Sequence, residues 1–396
     1  GVLLPLFSEV CENGYKNEQS PAEIFETFVM KYLDNPSEEE KISLLFRFIQ
    51  YVERQVVLFD AIEDAAFPIV NNMEGKSSLR AIKETAESEG KTKELKEFLE
   101  NFKVRTVLTA HPTQFYPGSV LGIITDLTEA LKSNNHIVIK DLLAQLGKTP
   151  FFKKEKPTPY DEAVSLIWYL ENVFYETAGA MMQYIQKNIL DGELPKNDIL
   201  KLGFWPGGDR DGNPFVTADI TMKVAEELRI SILKDYYGHL KIVRRRLSFR
   251  GVSDVLKAVS KRIYDSIFQE DVRISAEEII AELDKAEKIL KEEHNGLFFG
   301  VLDDFRDRVK IFGTHFATLD IRQDSRIHQN VIDDIFKKVI DGNVDSRTND
   351  EKIDLLLDSG IVLNPDDFED EMTCETLKSI YNIKVIQENN GERGMH

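Results

Sequence analysis

His111 is the residue of this chain best placed to move a proton. It lies in Thr109-Ala110-His111-Pro112-Thr113, at the end of the short β-branched run Val104-Arg105-Thr106-Val107-Leu108-Thr109. Imidazole titrates closest to neutral pH of any side chain, and Pro112 holds its predecessor in extended backbone, so the ring is aimed. Parallel α/β folds set their active-site loops at the carboxyl ends of strands. A structural histidine in a strand-end turn is the alternative. A second cluster, Trp205-Pro206-Gly207-Gly208-Asp209-Arg210-Asp211-Gly212-Asn213-Pro214, holds Asp-Arg-Asp within a tightly constrained backbone. Flanking aspartates would orient Arg210 toward an anion; a charged structural turn before a helix is the other reading. Calcium is excluded, because the glycine comes too early for an EF-hand and Ile220 stands where that loop needs glutamate. The third cluster is Leu319-Asp320-Ile321-Arg322-Gln323-Asp324-Ser325-Arg326-Ile327-His328. Strand alternation puts Thr318, Asp320 and Arg322 on one side, against Ala317, Leu319 and Ile321 on the other. A strand ending in Arg322 and followed by Asp, Ser, Arg and His reads as a phosphate or carboxylate clamp; a solvated strand end is the alternative, and the preferred reading for Arg326.

The elements that must position these residues are mostly helices. Ser37-Glu38-Glu39-Glu40 and Ser275-Ala276-Glu277-Glu278 have the form of capping boxes, each followed by apolar residues at helical spacing. A long apolar helix is predicted over 161–190, and another after a Thr217 cap. Three short strands are predicted: 104–109, 201–205 and 316–321. A loop is expected over 342–350, and turn chemistry at Asn390-Gly391. His111 and Arg322 are therefore expected to open onto one site from neighbouring strands, with Arg210 nearby. Arg244-Arg245-Arg246 reads as a solvated helix face, since successive helical residues point about 100° apart. His136, His239, His294 and His315 lack metal-ligand spacing.

Composition narrows the class. Acidic residues outnumber basic ones 69 to 50, for a net charge of −19. That field argues against nucleic acid as a general partner and requires any anionic ligand to meet a local group of cations. The 2 cysteines, Cys11 and Cys374, point to a reducing compartment without a disulfide framework. No apolar run approaches the roughly 18 residues of a membrane span. The expectation is a cytoplasmic α/β protein, predominantly helical, with an amino-terminal helical region over 1–100 and strands with long helical excursions over 101–396.

In order and spacing, the three clusters together resemble the phosphoenolpyruvate carboxylase family. That family shows T-A-H-P-T, then P-(T/S)-P-x-D-E, here Pro157-Thr158-Pro159-Tyr160-Asp161-Glu162. G-G-D-R-D-G-N-P follows, here Gly207 to Pro214, and then D-I-R-Q-(E/D)-S-x-x-H, here Asp320 to His328. The resemblance implies a (β/α)₈ barrel with extensive helical decoration, of which this chain would hold only the first part. It also implies a homotetramer and carboxylation of phosphoenolpyruvate with bicarbonate to oxaloacetate and phosphate, using Mg²⁺ or Mn²⁺. His111 would then be the catalytic proton-handling group and Arg322 a substrate-binding residue, with Arg210 shaping the neighbouring rim.

Two departures qualify the likeness. Gln114-Phe115-Tyr116-Pro117-Gly118-Ser119 stands where many relatives carry a basic pair, which puts a sugar-phosphate activator site in doubt. The family's later G-Y-S-D-S-x-K segment and its acidic metal ligands do not occur in these 396 residues. The chain is thus expected to be a fragment, inactive alone and contributing no metal ligand. A catalytically inert helical scaffold derived from the family is the rival reading, and a carboxy-lyase acting on another substrate is a third.

Overall fold

A computed structural model of the chain describes residues 2–109, 116, 118–151, 157–193, 195, 197–211, 213–269, 271–339, 347–358, 360 and 362–396. The elements begin with α1 (Leu3–Lys16), α2 (Pro21–Tyr32), α3 (Glu38–Val70), α4 (Leu79–Ser88), α5 (Thr92–Asn101) and β1 (Val104–Leu108). After them come α6 (Gly118–Lys132), α7 (His136–Leu146), α8 (Pro159–Tyr169), α9 (Tyr175–Asn188) and β2 (Leu200–Phe204). Next are α10 (Ala218–Arg246), α11 (Val252–Phe268), α12 (Ala276–Glu293), α13 (Phe299–Phe312) and β3 (Thr318–Leu319). The last helices are α14 (Ser325–Val339), α15 (Asn349–Asp358) and α16 (Glu371–Asn390).

These elements form two compact units. One comprises Gly1–Gly75 and Gln114–Glu155, and the other Lys76–Thr113 and Lys156–His396. The boundary expected near residue 100 therefore falls inside the second unit, because α4 and α5 belong with the strands. The first unit is helical, with α3 packed on α6 through Val57, Ala61, Val120 and Leu127. In the second, α10 runs through the main core, burying Val224, Leu228, Ile232, Tyr236 and Leu240, and packs on α11, α13 and α16.

The start signals act as their chemistry dictates. Ser37 with Glu40 and Ser275 with Glu278 make reciprocal capping boxes, and Thr217 accepts from the Ile220 N–H. Thr158 caps α8, Pro159 takes its first turn, and Asp161 returns a bond to the Thr158 N–H. That part of the P-T-P-x-D-E segment is thus a helix start. The helix predicted as one over 161–190 is interrupted by a π turn at Leu170–Phe174. The wider turn shifts the apolar stripe by one position, so Tyr175 is buried. Of the loop expected over 342–350, residues 342–346 lie outside the described residues, and Asn349 and Asp350 open α15.

The sheet has the order β1-β2-β3, all parallel. Val107 sits opposite Gly203, and Gly203 opposite Thr318. The third strand is shorter than 316–321 because Phe316 adopts a φ of 62°, which turns the chain out of extended geometry. On its far edge Met395 bridges Leu319 in parallel, and the Ile321 N–H donates to the His396 carbonyl at 3.0 Å. The architecture is a predominantly helical α/β fold around a small parallel sheet.

Candidate active site at the carboxyl end of the sheet

The register gives the sheet two unlike faces. Leu202, Phe204 and Leu319 lie on one and are buried in the core. Arg105, Val107, Gly203, Trp205, Thr318, Asp320 and Arg322 share the other. Arg105 crosses that face over Gly203, where an added Cβ would meet its Nε and Nη2 at 3.0 Å. Its Nη2 then donates to Asp320 Oδ1 at 2.5 Å. The second carboxylate oxygen of Asp320 accepts from the Trp205 indole N–H at 3.0 Å.

The turn after β2 is fastened to the end of β3. The Gly208 carbonyl accepts from the Arg322 N–H at 3.1 Å, and the Arg322 carbonyl accepts from the Arg210 N–H at 2.8 Å. Two glycines permit this approach. Gly207 has a φ of +80°, and a Cβ on Gly208 would stand 2.2 Å from the Asp320 carbonyl oxygen. Thr221 of α10 donates its hydroxyl to the Gly207 carbonyl at 2.7 Å, holding the turn from beneath.

This backbone arrangement brings Arg322 against two partners. Its Nη1 donates to Asp209 Oδ2 at 2.8 Å, and its guanidinium stacks 4.0 Å from the centre of the Trp205 ring. The side chain remains 41% exposed. Among the described residues, nothing accepts from its Nε or Nη2. Those two N–H groups point the same way and make the side-on fork that fits a carboxylate or phosphate.

Arg210 behaves differently from the expectation that Asp209 and Asp211 orient it. Its Nη1 donates to the Glu375 carbonyl at 3.0 Å and to the Ser379 hydroxyl, and Glu375 Oε2 lies 3.7 Å from its Nη2. The side chain is only 8% exposed. Burial draws its pKa down from the ordinary arginine value, and the Glu375 carboxylate offsets part of that effect. Arg210 therefore fastens the turn to α16, while Asp209 is taken by Arg322. Arg326 is 87% exposed and spends its guanidinium on Asp324; it is solvated, but it lies in the first turn of α14 rather than at a strand end. His111 lies outside the described residues; the last described residue before it is Thr109, one beyond β1. Strands β1 and β3 are not neighbours but flank β2.

Sequence reasoning assigned no role to Arg105 or to the Trp205 ring. The available signal was alternation, which places Arg105 in phase with Val107 and Trp205 in phase with Gly203. The carboxylates of this face, Asp209 and Asp320, are each paired with arginine. Among the described residues, no group of three or more His, Cys, Asp or Glu side chains is arranged to hold a metal ion.

The chain thus has a helix-rich α/β fold with an arginine-bearing polar face at the carboxyl ends of three parallel strands. The family model for phosphoenolpyruvate carboxylase matches residues 43–274 and 253–396, and the chain belongs to that family. A curated phosphoenolpyruvate carboxylase from Shewanella loihica is 28% identical over 307 residues, covering 66% of this chain and 35% of the relative. Those from Nitrosomonas eutropha and Haemophilus influenzae are each 26% identical, over 305 and 318 residues, covering 62% and 68% of this chain. The chain spans about a third of the length of these relatives, 33–36% of each.

Proposed function

We propose that this polar face is one wall of a phosphoenolpyruvate carboxylase active site, which joins bicarbonate to phosphoenolpyruvate and yields oxaloacetate and inorganic phosphate. The observation that carries the reading is Arg322, held by Asp209 and Trp205 with its side-on fork turned to no described partner. Membership of the family supports phosphoenolpyruvate as the substrate. In this reading bicarbonate oxygen attacks the phosphorus of phosphoenolpyruvate, and the bond from phosphorus to the enol oxygen breaks. Carboxyphosphate and the pyruvate enolate result. His111 takes the carboxyl proton of carboxyphosphate as carbon dioxide and phosphate separate, and the enolate carbon then bonds to carbon dioxide. Arg322 holds an anionic end of the substrate throughout and offsets its charge. Arg210 shapes the rim indirectly, by tying the turn to α16. For the Mg²⁺ or Mn²⁺ implied by the family, no group of three or more His, Cys, Asp or Glu side chains is arranged as a ligand set among the described residues.

The same reading takes β1 to β3 as the first strands of a (β/α)₈ barrel, with Met395 and His396 entering beside β3 where a fourth strand belongs. It also takes the assembled cytoplasmic enzyme to be a homotetramer. The test is His111→Asn in the natural polypeptide. Phosphoenolpyruvate binding is expected to persist, while oxaloacetate formation, coupled to malate dehydrogenase, falls by at least about 10²-fold. Carboxylation near the wild-type rate would remove the proton-transfer role.

A further inference from the structure

We infer that Trp205 is a positioning residue for Arg322, and that Asp320 sets the plane of its ring. The inference rests on the substrate role proposed for Arg322. A guanidinium on a strand-end side chain has several rotatable bonds, and a fork aims at an anion only if both its direction and its plane are fixed. Asp209 fixes the direction through Nη1 at 2.8 Å, and because that bond uses Nη1, Nε and Nη2 remain for the ligand. An ion pair alone leaves rotation about the contact. The indole face 4.0 Å away removes that freedom.

The ring is itself held at its edge. Its N–H donates to Asp320 Oδ2 at 3.0 Å, while the other oxygen of that carboxylate takes Arg105 at 2.5 Å. With each oxygen engaged, the carboxylate cannot swing, and neither can the indole bound to it. The Trp205 backbone N–H donates to the Leu108 carbonyl at 2.9 Å, so the residue is also tied to the strand that leads to His111. The three strands thus contribute to a continuous run, Arg105 to Asp320 to Trp205 to Arg322 to Asp209, which starts on β1 and ends at the turn after β2. Tryptophan suits this place because it offers both a wide π face and an edge donor.

The test is a double-mutant cycle in the natural polypeptide, reading KM for phosphoenolpyruvate apart from kcat. Arg322→Gln is expected to raise KM, and Trp205→Leu to raise it about tenfold by releasing the guanidinium. Trp205→Phe keeps a face but loses the bond to Asp320, and is expected to raise KM about threefold. In the Arg322→Gln background each tryptophan substitution should change KM by less than about twofold, since no aimed guanidinium is left to lose. A merely structural tryptophan would give additive effects instead, and additivity alongside a raised Arg322→Gln KM overturns this inference alone. An Arg322→Gln KM equal to wild type overturns the substrate reading and this inference together. Should Trp205→Leu fail to fold, Trp205→Phe and Asp320→Asn run the same cycle with the same decision.

Discussion

Gly208→Ala is the substitution whose consequence can be worked furthest from the geometry. A methyl group there would stand 2.2 Å from the Asp320 carbonyl oxygen, against the 3.4 Å at which ordinary contact begins, so the turn and β3 must part by about 1 Å. The obstacle is backbone, and no side-chain rotation relieves it. The two hydrogen bonds joining Gly208 and Arg210 to Arg322 lie directly beside the contact. Losing both costs about 2 kcal/mol at typical net values. The same displacement carries Arg322 away from Asp209 and Trp205, and a misplacement of about 1 Å at a reacting site can cost on the order of 10²-fold in rate.

The control is Gly238→Ala, within α10, where an added Cβ meets nothing within 4 Å. Alanine there is expected to stabilise by up to about 1 kcal/mol, through helix propensity alone. Urea unfolding of the two variants should therefore differ in sign relative to wild type. In the natural polypeptide, Gly208→Ala should also lose activity far beyond its loss of stability. If both variants unfold at the same midpoint, the close approach of the turn to β3 is not a constraint, and the account of the Gly207-Gly208 pair is wrong.

Two further outcomes concern groups away from the site. Arg308→Met should cost about 3 kcal/mol in urea unfolding, because it leaves the largely buried Asp304 without its guanidinium and removes the donor to the Tyr175 carbonyl. Burial, together with the nearby Glu171 and Glu176, pushes the Asp235 carboxyl up to about 7. A raised carboxylate pKa means that the folded state holds its proton more tightly than the unfolded state. The wild type therefore gains stability as pH falls from about 7 toward 3.8, and ionised Asp235 is a burden above that window. Asp235→Asn should accordingly be the more stable protein at pH 8, by about 1–2 kcal/mol, with the gap narrowing below about 7 and closing only near 3.8. Equal urea midpoints for the two proteins at pH 8 would show that the carboxylate is not held against its charge.

How much of this could be read beforehand follows from the range of each interaction. The caps at Ser37, Ser275 and Thr217 are decided within three residues, and the sequence declares them. Alternation along β3 is equally local, and it alone puts Asp320 and Arg322 on one face. The π turn is different: the residues around Leu170 keep helical spacing, and only packing decides that one position is skipped. Arg105 and Asp320 are 215 residues apart, and no periodicity in either strand announces their pair. The two compact units are also invisible locally, since the first is assembled from segments separated by α4, α5 and β1.

The two arginines of the motifs show where such reading must stop. Arg210 sits between aspartates and looks the better anion ligand by its neighbours in sequence. In the fold those neighbours do not serve it, because the turn directs Asp209 toward β3 and Arg210 toward α16, where Glu375 and Ser379 are 165 and 169 residues away. Burial against α16 leaves little of its side chain open, so its charge serves cohesion. Arg322 has one acidic partner on one nitrogen and an aromatic face beneath it, which fixes it and leaves its fork open. Residue type and spacing nominate both; only the distribution of partners over the guanidinium nitrogens separates the fastened Arg210 from Arg322, whose fork stays open.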